Sequence, residues 1–253
     1  PAASAGFTPQ TDFSAVGNSD VEIADINHDG FGDIVMNSSA PVVRYSLGNG
    51  DGTFGAAQGS LLGANQILDL ELGDFNGDGN LDWAGVSNVG NLEVRASDGF
   101  GEFGTGTTTP VSTISNLIAM ADFNNDGDPD FAIGELATNS IDIRLGGPGL
   151  TFTAAPTLTL PAQVSAIEPA HFQHDGNTDL LVALASTDSV VRFAGKGDGT
   201  FLTGVTVTDT TLESPSDIAF GAFGSNTIQP GYLVANRDTD SITQFTFFSN
   251  ELT

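Results

Sequence analysis

The sequence contains no cysteine and only six basic residues, and each shortage excludes a class of chemistry. Without cysteine the chain has neither disulfides nor thiol chemistry. Six Lys and Arg against 32 Asp and Glu give a formal net charge of −26. Nucleic acid phosphates are bound by Lys and Arg, so a surface of this sign repels them. The shortage of bases therefore excludes DNA and RNA as partners.

Long apolar runs are also missing. The richest short stretch, residues 180–184 (LLVAL), is far below the ~20 apolar residues that cross a bilayer. We therefore expect no membrane insertion. The chain starts at Pro1 without a signal-like apolar segment, as a processed mature protein or a trimmed piece would.

The composition points to strands and to bound metal. Thirty-two glycines together with few Lys and Arg favour short strands joined by tight turns over helices. The excess of carboxylates would repel itself in a folded chain unless cations lay among the acids. A salt-adapted or merely soluble acidic surface is the alternative explanation of the charge.

An internal repeat decides the predicted fold. Short acidic blocks recur with their second residues 49, 48, 49 and 51 positions apart, at Asp25, Asp74, Asp122, His171 and Ala222. A second marker keeps a period of 49 in glycine-rich turns, at Phe54, Phe103, Phe152 and Phe201. Two independent markers with one period indicate a repeat architecture of five units.

Each unit is predicted to form four short strands, which in the first unit cover residues 21–26, 33–37, 42–47 and 54–61. The first residue of each block is small, as at Ala24 and Gly73. The third residue is large and apolar, as at Ile26 and Phe75. Small side chains suit innermost strands that converge on an axis, and large ones suit a sheet packing on its neighbour. The pattern predicts a radial arrangement.

The sequence therefore predicts an all-β, five-bladed β-propeller of four-stranded antiparallel blades in one domain, residues 1–253. The repeats cover approximately 17–62, 63–111, 112–160, 161–209 and 210–253. Residues 6–16 match the position of a fourth strand and are predicted to complete the last blade. Such a ring has no unpaired edge strand.

Three acidic loops predict calcium sites. Oxygen-bearing side chains stand at loop positions 1, 3, 5 and 9, with glycine at position 6 and a backbone carbonyl available at position 7. Calcium takes about six to eight oxygen ligands, which a tight loop can offer at alternate positions. The predicted ligands of about three ions are Asp25, Asn27, Asp29, Phe31 and Asp33; Asp74, Asn76, Asp78, Asn80 and Asp82; and Asp122, Asn124, Asp126, Asp128 and Asp130.

An EF-hand would need a glutamate at position 12, but Met36, Gly85 and Ile133 stand there. The position-9 carboxylate is predicted to close the site instead. One such loop alone could be a simple Asx turn, but three at a fixed period indicate calcium.

The last two units depart from this pattern. Unit four keeps Asp175 and Asp179 but has His171 and Gln173 at positions 1 and 3, so we expect weak or absent calcium. A transition metal on His171 and His174 is the alternative. Unit five, with Ala222, Gly224 and Asn226 at positions 1, 3 and 5, is predicted to be empty.

The sequence predicts no catalytic residue and no organic cofactor, because only three His and no Cys are present. Glu22, Glu71 and Glu168 share one column on the innermost strand and either line a channel, bind a polar ligand, or pair with bases or solvent. Arg44, Arg95, Arg144 and Arg192 fall in third strands, where ion pairs between blades are favoured over a binding surface. Trp83 is predicted to lie in a blade core.

The acidic loops, the turn 50–54 (GDGTF) and its copy at 197–201 resemble the FG-GAP/VCBS repeats of integrin-α-like propellers. The resemblance implies a propeller, calcium between the first and second strands, and an extracellular setting, although relatives usually have seven blades. It also implies adhesion, glycan binding or decoration of larger secreted proteins.

The predicted function is a secreted or cell-surface, non-catalytic recognition or adhesion module for a glycan or an extracellular protein. The alternatives are a structural or accessory subunit of an extracellular assembly, and a polysaccharide lyase or hydrolase. In the enzyme alternative, Glu71 or Glu168 would carry the catalytic carboxylate.

Overall fold

The structure is a computed structural model of the chain, and it describes residues 20–61, 65–111, 115–173, 175–222 and 230–246. These ranges contain 20 strands and one turn of 3-10 helix, Ala185–Thr187. The strands form five antiparallel sheets, numbered one to five in chain order.

The first two sheets have four strands each. Sheet one contains β1 (Val21–Ala24), β2 (Asp33–Met36), β3 (Val42–Ser46) and β4 (Gln58–Leu61). Sheet two contains β5 (Ile67–Gly73), β6 (Asp82–Ser87), β7 (Asn91–Ser97) and β8 (Phe103–Pro110).

The remaining sheets vary in strand number. Sheet three contains β9 (Ser115–Ala121), β10 (Asp130–Glu135), β11 (Ser140–Gly147), β12 (Thr151–Ala154) and β13 (Leu158–Thr159). Sheet four contains β14 (Ala166–Ala170), β15 (Asp179–Leu184), β16 (Ser189–Phe193) and β17 (Val205–Thr208). Sheet five contains β18 (Pro215–Ala222), β19 (Pro230–Asn236) and β20 (Ser241–Thr246).

Sheets one, two, four and five are meanders in which consecutive strands pair, and sheet three follows the same order from β9 to β12. The strands of each sheet fall within one predicted repeat, which confirms the all-β prediction and the five-unit organisation. In sheet three, β12 and β13 both pair with β11. The predicted closing strand, residues 6–16, lies outside the described residues, and the single-domain assignment stays a prediction.

Four apolar clusters form the core, and each lies between two consecutive sheets. The large apolar residue at loop position 2 belongs to these clusters: Ile26 joins Leu70 and Trp83 of sheet two, and Phe75 contacts Phe131 of sheet three with ring centroids 5.1 Å apart. Packing between sheets therefore buries the residues that the repeat pattern predicted to face a neighbour. The array of sheets is propeller-like.

Ring closure is not seen among the described residues. Leu70 on β5 and Ile118 on β9 are 2% and 6% exposed because the preceding sheet covers them. Val21 and Ile23 on β1, the equivalent face of sheet one, are 58% and 71% exposed. The five-bladed closed ring thus remains a prediction. No helix in the described ranges has the length and apolar character needed to cross a membrane.

Candidate calcium loops

The four acidic loops share the same turn at position 6. Loops 1 to 4 cover residues 25–33, 74–82, 122–130 and 171–179, and each joins the first strand of its sheet to the second. The position-6 glycines have φ between 87° and 90°, at Gly30, Gly79, Gly127 and Gly176. This left-handed conformation is open to glycine at little cost. The predicted sharp turn at position 6 is therefore present in all four loops.

In loops 1 and 2 the side-chain oxygens of positions 1 and 3 converge on the backbone N–H of position 5. The backbone N–H of Asp29 donates to Oδ1 of Asp25 and to Oδ1 of Asn27, both at 3.1 Å. In loop 2, the N–H of Asp78 donates to Oδ1 of Asp74 at 3.1 Å and to Oδ1 of Asn76 at 2.8 Å. Oxygens gathered around one N–H lie close enough to share a cation.

Loop 3 contains a carboxylate oxygen that lacks a partner. Oδ2 of Asp122 accepts from the N–H of Gly127 at 3.0 Å, but Oδ1 of Asp122 is buried and has no hydrogen-bond partner among the described residues. A buried acceptor without a partner costs free energy, and more so when it is charged. A hard cation such as Ca²⁺ would supply the missing partner, so the donor set of loop 3 fits calcium.

The predicted ligands are not all free to meet one ion. Among the described residues, no three His, Cys, Asp or Glu side chains come together as a preformed metal site. The loops would depend on asparagine and backbone carbonyl oxygens as well as carboxylates, and position 9 is turned to other partners. The calcium ligands therefore stay a prediction.

Position 9 holds a fully buried carboxylate that binds two distant backbone N–H groups. Ile26 donates to Oδ2 of Asp33 at 2.9 Å and Gly48 donates to Oδ1 at 2.7 Å. The same pair of bonds recurs at the other three position-9 aspartates, Asp82, Asp130 and Asp179. We call this arrangement the aspartate clasp, because it joins the start of the loop to the end of the third strand or to the residues just after it.

Sequence reasoning missed the clasp and assigned position 9 to calcium alone. The signal that could have revealed it is unit four, which keeps Asp179 although His171 at position 1 has no oxygen and Gln173 replaces the asparagine at position 3. Burial raises the pKa of both Asp82 and Asp130 to about 6, and the backbone N–H bonds oppose that rise.

The clasp also explains two glycines. Gly146 and Gly195 each donate an N–H to the clasp, at 2.8 Å to Asp130 and 3.0 Å to Asp179. A Cβ at either position would overlap the carbonyl oxygen of Pro129 or Thr178, the residue before each aspartate. The absence of a side chain lets the two backbones approach.

In loop 4 the side chain of His171 bonds the backbone carbonyl that the other loops are predicted to offer to calcium. Nδ1 of His171, at position 1, lies 3.1 Å from the carbonyl oxygen of Asn177, at position 7. A carbonyl only accepts, so Nδ1 carries the proton. The carbonyl that would serve calcium is thus already hydrogen-bonded. His174 and residues 223–229 of unit five lie outside the described residues, so the His171–His174 alternative and the empty fifth loop stay predictions.

Neighbouring loops are joined at their surfaces. Nε2 of His28 lies 3.1 Å from Oδ1 of Asn80, and Nδ2 of Asn125 donates to Oδ1 of Asn177 at 3.0 Å. Both bonds run from position 4 of one loop to position 7 of the next. His28 is exposed and outside the predicted ligand positions.

Acids on the innermost strands bind the next sheet. The N–H of Leu70 donates to Asp20, that of Ile118 to Asp69, and that of Phe220 to Glu168, each at 2.9 Å. The partner of Glu168 is thus a backbone amide of the next sheet, which was not among the roles predicted for it.

Burial raises the pKa of two acids on β5, Glu71 and Asp69. It raises the pKa of Glu71 to about 8, with Glu22, Asp69 and Asp20 adding repulsion. The pKa of Asp69 is raised to about 7 for the same leading reason.

The predicted ion pairs between blades are wrong for two arginines. Arg144 pairs with Asp142 at 2.7 Å and Arg95 with Glu93 at 3.8 Å, each two residues earlier on its own strand. Alternate residues share one face of a strand, so the pairs form within a sheet. Nη2 of Arg144 does reach the preceding sheet, donating to the carbonyl of Pro110 in sheet two at 3.2 Å. Trp83 is fully buried, which confirms its place in the core.

Comparison with known proteins gives a family for part of the chain. The family described as FG-GAP-like repeat matches residues 25–85 and 74–133. Residues 25–133 carry FG-GAP-like repeats. These FG-GAP repeats span loops 1 to 3, and repeats of this type often bind calcium. A search of curated proteins finds no match to the sequence.

Solved structures support the fold. Two crystal structures of BBS1N in complex with ARL6DN, one soaked with mercury and one with lead, match with TM-scores of 0.64 and 0.65 at 12% identity. The matches cover 93% and 96% of this chain and 66% and 67% of the BBS1N chain. This chain thus spans about two thirds of their length. The FG-GAP repeats lie on a propeller-like fold.

Proposed function

We propose that this protein is an extracellular, calcium-stabilised recognition module that binds a glycan or a protein partner without catalysing a reaction. The proposal starts from loops 1 to 3, in which oxygens at positions 1, 3 and 5 gather at the same edge of successive sheets. The observation that carries it is the buried, unpartnered Oδ1 of Asp122. A cation there would satisfy a charge that otherwise costs stability.

A binding role is favoured over catalysis by the state of the inner-strand acids. Glu168 accepts the N–H of Phe220 and Glu71 accepts the N–H of Met120. Both carboxylates therefore have structural partners in the next sheet, where a glycoside hydrolase would need a pair of carboxyl groups facing a substrate. Turnover of a polysaccharide that is lost on Glu71→Gln or Glu168→Gln, but not on Asp74→Asn, would contradict this proposal.

A protein partner is supported by the solved structures of similar fold, in which BBS1N is in complex with ARL6DN. A propeller-like fold can therefore present a protein-binding surface. Two experiments distinguish a glycan ligand from a protein partner: a glycan array probed in the presence of calcium, and a pull-down of partners from the native source. A stable complex without glycan binding would favour the accessory subunit.

Calcium itself is tested by thermal unfolding and metal analysis. Chelation should lower the melting temperature, because calcium binds the native state, and the loop count predicts about three ions per chain. Asp78→Asn should remove one ion. An unchanged melting temperature together with no bound metal would overturn the calcium part of the proposal.

A further inference from the structure

A cavity of about 500 Å³ lies across sheets three to five, at the edge away from the calcium loops. Its walls come from the segments that follow the second strands, at Leu136, Ala185 and Arg237, and from the connections between sheets, at Gln163 and Ser214. We call this cavity the Arg237 pocket. No predicted calcium ligand lines it.

The chemistry of this pocket is unusual for the chain. Acids outnumber bases 32 to 6 in the sequence, yet the polar lining of the pocket consists of amides, hydroxyls and one guanidinium. The neighbouring cavity, of about 620 Å³, is lined by Asp188, Asp209, Glu213 and Asp238. The Arg237 pocket is thus the described cavity suited to a negatively charged group.

Arg237 is held in place by Ser214. Nη2 of Arg237 donates to Oγ of Ser214 at 3.1 Å, and its backbone N–H donates to the Ser214 carbonyl at 3.2 Å. Ser214 has φ of 51°, a left-handed conformation that costs energy in a residue with a side chain. Its N–H donates to Oδ1 of Asp188 at 2.7 Å, which fixes this conformation.

The guanidinium keeps donors for a ligand. Arginine has five N–H groups in a planar fork, and the bond to Ser214 uses one of them. Arg237 is exposed and has no carboxylate partner in the part of the chain that the structure describes. A planar carboxylate matches such a fork with two parallel hydrogen bonds.

Ser165 fixes the floor of the pocket. Its Oγ donates to the carbonyl of Pro215 at 2.6 Å and accepts from the N–H of Ala185 at 3.1 Å, which joins sheets four and five. Gln163 uses Nε2 on the Leu136 carbonyl at 3.2 Å, so its Oε1 is left to accept. The amide of Asn116 and the hydroxyl of Ser186 complete a polar wall suited to sugar hydroxyls.

We propose that the Arg237 pocket binds the carboxylate of a sugar acid, a uronic acid residue of a glycan. The carboxylate meets the guanidinium of Arg237, and the hydroxyls meet Gln163, Asn116 and Ser186. Asp188, Glu213 and Asp238 line the neighbouring cavity and weaken this attraction, although Asp188 also accepts the N–H of Ser214. More distant carboxylates are screened over about 8 Å at physiological salt. The inference rests on the proposed recognition function and names its ligand class.

Isothermal titration of the calcium-loaded chain with a glucuronate-containing disaccharide tests this. The matched ligand is the same disaccharide with glucose in place of glucuronate. We expect binding of the acidic sugar only, and at least a tenfold loss of affinity in Arg237→Gln, the size of effect expected when a charge-assisted pair of hydrogen bonds is removed. Arg237→Lys should restore only part of it, because an ammonium lacks the fork.

Lys196→Gln provides the control, because Lys196 is exposed in the turn after β16, at the calcium-loop edge. Its affinity should equal that of the native chain, and unchanged melting temperatures should show that both variants fold. The inference would be overturned if the native chain bound the neutral sugar or a sulfated analogue as tightly as the glucuronate disaccharide. It would also be overturned if Arg237→Gln bound that disaccharide as tightly as the native chain, or if the native chain did not bind it. If the native chain and Arg237→Gln bind a glycan with equal affinity, the inference fails but the proposed recognition function stands. If the native chain binds no calcium, the calcium part of the proposed function fails but the inference stands.

Discussion

At the residue scale, the aspartate clasp separates two roles that the loop motif combines. Asp33, Asp82, Asp130 and Asp179 are fully buried, and each accepts backbone N–H groups from two places in the chain. Positions 1, 3 and 5 lie nearer the surface and carry predicted calcium ligands in loops 1 to 3. Stability should therefore depend on the clasp in every loop and on calcium only in loops 1 to 3.

Asp179→Ala should destabilise the protein by about 3 kcal/mol, because it leaves two buried backbone N–H groups without acceptors. The loss should be the same with calcium and with chelator, measured by chemical denaturation. Asp175→Ala, an exposed position of the same loop, should change the free energy of unfolding little. Equal losses in both variants would contradict the clasp.

Loop 4 can be tested by restoring its donors. The double variant His171→Asp and Gln173→Asn recreates positions 1 and 3 of loops 2 and 3 while keeping Asp175, Gly176 and Asp179. It also removes the ring that bonds the Asn177 carbonyl. We expect metal analysis to find one more calcium per chain than in the native protein.

The single variant Gln173→Asn is the control for that experiment, since His171 would still bond the carbonyl. It should bind no additional ion. An unchanged ion count in the double variant would show that these donors do not suffice.

The sequence predicts residue roles well where they are local. The glycine at position 6 and the converging oxygens follow from a nine-residue spacing. The clasp could not be predicted, because Gly48 lies 15 residues beyond Asp33 and donates through its backbone. A backbone donor leaves almost no trace in the side-chain pattern.

At the element scale, the outer strands of sheets one and three begin and end at positions that the repeat pattern alone did not predict. The fourth strand of unit one was predicted over 54–61, but β4 begins at Gln58 and Phe54 forms only an isolated bridge with Gly48. In sheet three the outer strand is split into β12 and β13 around Pro156. Proline has no N–H to donate to a ladder, so the pairing stops there.

The interfaces between sheets should depend on pH through Glu71. Its carboxyl is partly buried and is repelled by Asp20, by Glu22 of sheet one and by Asp69 on the same strand. It accepts the Met120 N–H from sheet three. The folded pKa of about 8 lies above the ordinary value of 4.5. Between these values the native state binds a proton that the unfolded state lacks, so stability falls as pH rises through this window.

Glu71→Gln should therefore stabilise the protein at pH 8.5 by about 2 kcal/mol and have little effect near pH 4. For a chain of this size that is a rise of about 4–8 °C in melting temperature. Glu102→Gln, at an exposed position of sheet two, is the control and should show no such dependence. A gain from Glu71→Gln that does not change with pH would contradict the argument.

At the scale of the whole molecule, charge and packing act against each other. The net charge of −26 favours expansion, while four apolar clusters hold consecutive sheets together. The predicted calcium ions would neutralise part of the charge at one edge of the array. Calcium and screening by salt should thus partly substitute for one another.

Removing calcium should therefore lower the melting temperature more at about 0.01 M salt, where the screening length is roughly 30 Å, than at about 1 M, where it is roughly 3 Å. Thermal unfolding in four samples, with and without chelator at each salt concentration, measures the difference. Potassium chloride is suitable because it adds no divalent ion. An effect of chelation that is equal at both concentrations would mean that calcium acts only through local coordination.

The repeat period was enough to predict five units and their order, since two markers recur at about 49 residues. Closure was predicted from residues 6–16 and remains a prediction, because the repeat period alone does not determine it. It depends on the angle between sheets, which is set by the shapes of many side chains, and the exposed Val21 and Ile23 leave one face of sheet one uncovered.

The aspartate clasp has a consequence for how such a protein can evolve. A unit with altered donors at positions 1 and 3, such as unit four, keeps the clasp bonds that hold its sheet together. A substitution that abolishes ion binding then costs only the stability that one ion supplies, and the clasp of that repeat and those of its neighbours stay intact. The number of ions can drift across a lineage while the number of sheets stays constant.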